Sequence, residues 1–391
     1  MTADTLDRPL FPTAELGLEG GAAFTALLLE IRARRDEFAK QTYLSQDIVD
    51  KLRQVGVYRA LVPRDLGGDE ASPADFCRMV ERIAQADGSA GWVASFGVSV
   101  MYLAALPRTT LEAIYADGPD VVFAGAVFPP QPAQAGEDGI HVAGRWKFGS
   151  GCTGASLVGV GIKLDTDPAP GLPRMAVLRR EQVRIEHNWD VIGMQGTGSH
   201  DVAVDGAVVP PEWTFIRGGT PTLESPLYRY PSLAFAAQVL AVVGLGVARA
   251  ALEDITAAAD GRVSITGAPN LADRAYVQIE LAKAEAQLRS ARAFLYEATD
   301  SVWQAVLAGE DVTAQQSNLL RLASTNAARA GADVARAAFT LAGTPGIFKA
   351  NALQRYLHDA LVVVQHAFLA EGHWQSAGRV LLGQSTPPGY P

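Results

Sequence analysis

From residue 232 almost to the C-terminus, apolar residues recur at helical spacing with only short interruptions. The spacing predicts helices at about 232–258, 270–308, 313–343 and 351–381. Helices of that length bury their apolar stripes only against one another, so four in succession with short connections predict a bundle. The first is apolar enough to resemble a membrane span. It is rich in Ala and Gly, carries Gln238 and Arg249, and lacks paired aromatic and basic anchors at its ends. It is therefore expected to be the buried helix of the bundle, with no membrane involved.

The preceding chain divides at a change of period. Residues 121–128, 157–162 and 175–178 are short apolar runs of strand type, and Glu137-Asp138-Gly139 marks a hairpin turn. Before residue 120 the period is helical again. Helices are expected at about 21–42, from Ser45 as N-cap, after Ser72-Pro73, and from Gly91 to about Leu106. The expected organisation is α+β: an N-terminal helical domain (1–119), a central barrel-like β-domain (120–217), and a C-terminal four-helix bundle and tail (218–391). With a formal net charge of −9, neither nucleic acid nor an anionic membrane surface is an expected partner. Cys77 and Cys152 read as separate free thiols on a helix and a strand, and the scattered histidines offer no metal site. The first residues are acidic without an apolar core, so no signal peptide and a cytoplasmic location are expected.

Two motifs frame the β-domain. The first is Gly144-Arg-Trp-Lys-Phe-Gly-Ser-Gly-Cys152; the second is Gly193-Met-Gln-Gly-Thr-Gly-Ser-His-Asp201. Glycine lets backbone approach a flat ligand, and Ser and Thr add short hydrogen bonds. On spacing alone, these are equally the turns of a small β-domain. Trp-x-Phe-x-Ser-Gly followed by Gly-Met-x-Gly-Thr-Gly-Ser-His-Asp-Val resembles the flavin-binding β-domain of the acyl-CoA dehydrogenase superfamily. More narrowly, the chain is similar to the oxygenase components of two-component flavin-dependent monooxygenases, such as the hydroxyphenylacetate and steroid-phenol hydroxylases.

That resemblance implies the site. Trp146, Phe148, Ser150, Gly151, Trp189, Thr197, Gly198 and Ser199 are expected to contact the flavin, with Ser150 facing its reactive nitrogen. Arg262 and Gln278 match the pattern that meets the flavin phosphate of a neighbouring subunit in a homotetramer. Guanidinium geometry suits phosphate; a solvated helix-end arginine is the plainer reading. His366 is expected to project toward ring and substrate, where imidazole can move a proton; His358 and Glu371 compete for that place. Arg355 and Asp359 read as a surface or subunit-contact ion pair. Trp92, Ser95, Phe96, Ser99 and Tyr102 recur on the fourth helix as a candidate substrate wall or plain core. Phenol-hydroxylating relatives tend to have histidine at the position of Ser99 and serines near Ala124-Gly-Ala126, so the expected substrate is a small aromatic, indole-like or phenolic, with an apolar or indole-like aromatic or another small molecule gaining weight over a phenol.

An acyl-CoA dehydrogenase needs a carboxylate to remove the α-proton of its thioester. The position counted from Asp359 is His366 or Ala367; residues 233–252 hold no Asp or Glu; Glu371-Gly372 falls four to five residues late. The resemblance therefore implies a monooxygenase using reduced FAD or FMN, with FAD preferred, and O2 through a C4a-hydroperoxyflavin. No Gly-x-Gly-x-x-Gly nicotinamide fingerprint is present, so a separate NAD(P)H:flavin reductase is implied. Competing readings are a dehydrogenase, a nitrogen- or sulfur-oxygenating relative, and a non-catalytic ligand binder on the same scaffold.

Overall fold

In the computed structural model the described residues are 21–167, 171–259 and 270–391. Helices α1 (Ala22–Gln41), α2 (Gln46–Gln54) and α3 (Pro73–Ala86) follow the expected spacing. Ser72 caps α3 by accepting the Asp75 amide, and Pro73 occupies a position that needs no amide donor. Ser45 stands at the start of α2, but its hydroxyl donates to Glu37 rather than capping the helix.

The expected fourth helix is broken. It consists of α4 (Gly88–Ser95), a 3-10 turn over Phe96–Ser99 and α5 (Val100–Leu103), followed by α6 (Arg108–Ile114). Ser95 and Ser99 donate their hydroxyls to the carbonyls of Trp92 and Phe96, three residues back. Such local bonds accompany a tightened turn, and they re-aim the side chains that follow.

The β-domain is two packed four-stranded sheets rather than a barrel. One has the order β1 (Phe123–Pro132), β4 (Leu157–Lys163), β5 (Arg174–Arg179), β8 (Thr214–Ile216), with β1 and β4 parallel. The other has the order β2 (Gln134–Gly136), β3 (Gly139–Trp146), β7 (Asp201–Val209), β6 (Arg184–Glu186) and is antiparallel. The β2–β3 hairpin turns where Glu137-Asp138-Gly139 predicts it. β1 runs on through Pro129-Pro130, where the sequence reading ended it. Trp146 is fully buried and donates its indole N–H to the Gly161 carbonyl at 2.7 Å, tying β3 to β4. A Cβ at Gly161 would lie 1.9 Å from the Val127 carbonyl oxygen, so only glycine allows β1 to pass so closely. Cys152 lies in a turn beyond β3, not in a strand.

After α7 (Pro226–Arg229) come α8 (Ser232–Ala259), α9 (Ala275–Leu307) and α10 (Ala314–Ala342). α8 packs on α3, α4, α9 and α10. It is the membrane-like helix, with mean hydropathy 1.8 in its most apolar window, 89% of which is buried. Its buried Gln238 is satisfied: it accepts from Tyr230 Oη at 3.0 Å and donates to Thr299 Oγ1 at 2.5 Å.

The expected last helix is also divided, into α11 (Ala352–Val363) and α12 (Gly372–Leu381). Between them the Phe368 amide turns to His366 Nδ1, a side-chain acceptor, and Leu369 plugs into the core. Helical spacing persists across this break, so periodicity alone does not show it.

Candidate active site

The turn after β3 places Phe148 at φ +63° with its ring 64% exposed, while Ser150 two residues on is buried. Three hydroxyls line up from there. Trp92 Nε1 donates to Ser150 Oγ at 3.2 Å; Ser150 Oγ and Ser199 Oγ are 2.6 Å apart. Ser199 Oγ and Thr197 Oγ1 are 2.7 Å apart, and Thr197 donates to the Met194 carbonyl at 2.9 Å. Because Thr197 gives its one proton to Met194, Ser199 donates to Thr197 and Ser150 donates to Ser199. Ser150 accepts from Trp92 and keeps a second lone pair for a donor beside it.

The second motif is held from three sides. The Gly198 amide donates to the Thr42 carbonyl at 2.8 Å, and the Gly151 amide donates to the Thr197 carbonyl at 2.8 Å. Trp189 donates its indole N–H to the Met194 carbonyl and meets Phe148 edge-to-face at 6.3 Å. His200, which the sequence allows to be an exposed turn residue, is buried. Its Nδ1 accepts the amides of Asn188 and Trp189, at 3.1 and 3.0 Å. Burial and then His187 push its pKa down to about 4, keeping the ring neutral and able to accept.

Beyond Trp92 lies a cavity. His366 meets the Trp92 ring edge-on at 5.5 Å. The cavity wall includes Phe96, Tyr102, Phe123, Met175, Phe215 and Leu240, with Arg217 and His366 as its basic side chains and no Asp or Glu. Ser95 and Ser99 also line it, but their protons are engaged by backbone carbonyls. His366 is pushed down to about 4, first by burial, then by Arg217, Arg321 and His373. Its Nδ1 accepts the Phe368 amide at 3.2 Å, so the neutral ring carries its proton on Nε2.

The structure thus gathers Phe148, Ser150, Gly151, Trp189, Thr197, Gly198 and Ser199 in one cluster. Ser95, Phe96, Ser99, Tyr102 and His366 line the adjoining cavity, and Trp92 stands between the two groups. Trp146 does not belong with them, because it is sealed in the β-domain core. Gln278, expected at the flavin phosphate of a neighbouring subunit, is exposed near the start of α9 and donates to the Ala272 carbonyl. Arg262 falls in 260–269, outside the described residues. The sequence reading missed Arg217 and Phe368. Arg217 carries a local signal, being a lone cation just after the apolar β8 and before Gly218-Gly219.

Residues 24–109 match the acyl-CoA dehydrogenase N-terminal domain family, and residues 238–371 match its C-terminal domain family. An indole-3-acetate monooxygenase of Pseudomonas putida is 54% identical over 95% of this chain and 96% of its own. One from Acinetobacter baumannii is 50% identical over 93% of this chain and 95% of its own. This chain belongs to the flavin-dependent monooxygenases of the acyl-CoA dehydrogenase family. The crystal structure of 3-HSA hydroxylase from Rhodococcus sp. RHA1 superposes with a TM-score of 0.86, at 25% identity, covering 94% of this chain and 97% of that one.

Among the described residues no carboxylate stands at the cavity to act as a dehydrogenase base. Glu371 is an exposed side chain 3.3 Å from Arg329 on the surface, and the cavity wall has no carboxylate. The residues suit a flat ring: Phe148 is exposed, and Ser150 keeps a lone pair able to accept from a ring N–H.

Asp359 is not in an ion pair with Arg355, which instead pairs with Asp36. It is buried and accepts the Met194 amide at 2.5 Å, anchoring the loop before Thr197 to α11. Burial first, then the Asp87 carboxylate, pushes its pKa up to about 7, against the opposing pull of Arg355 and Arg35. The folded protein therefore holds a proton that the unfolded chain releases near the usual carboxylate range. Stability falls as pH rises through that window and stays lowered above about pH 7. Asp359→Asn keeps the carbonyl acceptor without a charge. It should gain Tm relative to wild type at about pH 8 but little at about pH 5, as read by thermal melting at both.

Proposed function

We propose that this monooxygenase oxygenates an indole-type aromatic acid, with indole-3-acetate as the substrate to test first. Reduced flavin, FAD in preference to FMN, comes from a separate NAD(P)H-dependent reductase, and O2 is the co-substrate. The observation that carries the reading is a carboxylate-free aromatic cavity beside the Ser150 cluster, with neutral His366 at its wall. The two indole-3-acetate monooxygenases, alike over almost the whole chain, supply the substrate class.

Bound reduced flavin would supply the activated oxygen atom. The chain's own part is positional. Ser150 holds the polar edge of the ring, backed by Ser199 and Thr197. Phe148 and Trp189 shield its outer face, and the apolar cavity wall keeps water from the reacting atoms. His366 Nε2–H is the donor on the substrate side, and the same imidazole accepts a proton when it turns. Exposed Leu381, Leu382, Tyr276 and Ile279 on the bundle support assembly into a homotetramer. A cytoplasmic location fits the need for reduced nicotinamide and the two buried free thiols.

The test is turnover with a flavin reductase, NADH, FAD and indole-3-acetate. A product heavier by one oxygen atom is the expected result. Flavin oxidation that releases only peroxide would refute the reading. Cavity size gives a further check. A Cβ at Gly125 on β1 meets only Phe123 Cε1, at 3.5 Å, so alanine fits while leucine extends into the cavity. Gly125→Leu should lower kcat/KM roughly 10-fold or more, with Gly125→Ala within about 3-fold, since each methylene in such a pocket matters by ~1–3 kcal/mol.

A further inference from the structure

The cavity contains an unmet charge. Arg217 is half-buried at its wall, with its guanidinium over the ring of Tyr102 at 4.8 Å and that of Phe368 at 4.9 Å. Its one side-chain hydrogen bond among the described residues is a long one, Nη2 to Tyr102 Oη at 3.4 Å. Behind it stands Arg321, 1% exposed, 5.0 Å from the same Phe368 ring. Arg321 donates to the Leu233 carbonyl at 3.0 Å and contacts His373, and its Nε has no partner. Burial lowers Arg321 to about 10, which leaves it cationic at neutral pH. Neither arginine forms an ion pair among the described residues, and no Asp or Glu reaches the cavity wall. His366, the other basic side chain there, is neutral.

Two cations flanking one phenylalanine ring without an anion are costly unless something neutralises them. Structural arginines elsewhere in this chain have such partners, as in Arg174–Asp167 and Arg249–Glu285. Cation–π contacts hold the Arg217 guanidinium plane but leave its other N–H groups toward the cavity. A planar fork held in place beside an apolar chamber matches a carboxylate carried on an aromatic ring.

We propose that Arg217, reinforced by Arg321, binds the carboxylate of an arylacetate substrate and so sets both the preference for the acid and which edge of the ring faces His366. The inference rests on the reading of the cavity as the site for an aromatic acid. Cys77 and the Asp87–Asp359 pair offer no comparable opening, since both are enclosed by core.

The experiment compares indole-3-acetate with its neutral counterpart indole-3-acetamide. Calorimetric binding to the flavin-free protein and kcat/KM in the full system are both measured. Wild type should favour the acid in both. Arg217→Gln should cut the acid-over-amide preference by roughly 30-fold, the ratio for about 2 kcal/mol of lost charge-assisted bonding. Arg217→Lys, which keeps the charge but not the fork, should cut it by about 5-fold and serves if the glutamine variant does not fold. The KM for the acid should carry most of the change. A preference that survives in the variants, or a wild type indifferent to the carboxylate while still oxygenating indoles, overturns the role of Arg217 and leaves the proposed function standing. A wild type that neither binds nor oxygenates any indole compound overturns both.

Discussion

His366→Ala lowers turnover by roughly 100-fold or more while reduced flavin still binds, because positioned proton transfer contributes ~10²–10⁴-fold. The imidazole lies at the cavity wall, edge-on to Trp92, which in turn donates to Ser150. It is the one imidazole at that wall, with a donor on Nε2 and a ring able to accept a proton. On the proposed reading, flavin is held instead by the Ser150–Ser199–Thr197 line, which has no hydrogen bond to His366 among the described residues. Stopped-flow binding of reduced flavin and steady-state hydroxylation separate the two. Equal activity in the variant would remove His366 from the mechanism. The pH profile gives a second reading. A histidine held near 4 stays neutral as pH falls below its ordinary value. The acid limb of wild-type kcat/KM should therefore lie below about pH 5 rather than near 6.5, because kcat/KM reports the free enzyme.

Gly193→Ala is expected to destabilise the protein by about 3–5 kcal/mol and to weaken flavin binding at least ~10-fold, combining a steric clash with a lost buried hydrogen bond. A Cβ at Gly193 would lie 2.4 Å from the His358 carbonyl oxygen and 2.5 Å from its carbon. Both are backbone atoms of α11 and have no rotamer by which to move. The loop would have to lift, pulling the Met194 amide from Asp359. The Met194 carbonyl, which receives both Trp189 and Thr197, would move with it. Thermal melting and flavin titration of the variant report the two effects. A variant with wild-type Tm and flavin affinity would mean that the loop is not held by this contact.

Much of this architecture was legible as pattern. Helical spacing before residue 120 and after residue 232, with strand-like runs between, foretold the order of helices, sheets and bundle, because periodicity records which face each element buries. The Ser150 and Thr197–Ser199 motifs were readable because close backbone approach demands glycine and short hydroxyls whatever their partners. The breaks in two helices were not. They depend on side-chain bonds from Ser95, Ser99 and to His366 that leave the apolar spacing intact.

The sequence by itself determined the family scaffold, the hydroxyl-bearing turns and the absence of a correctly spaced carboxylate base. Only the tertiary structure decided that Trp146 is a core pillar, that Asp359 anchors a loop instead of pairing with Arg355, and that Arg217 faces a cavity without a counter-ion. The physical reason is that charge pairing, desolvation and cavity shape depend on groups distant in the chain. Arg217 meets Tyr102 and Phe368 only once the N-terminal helices, the β-domain and the C-terminal helices have closed on one another.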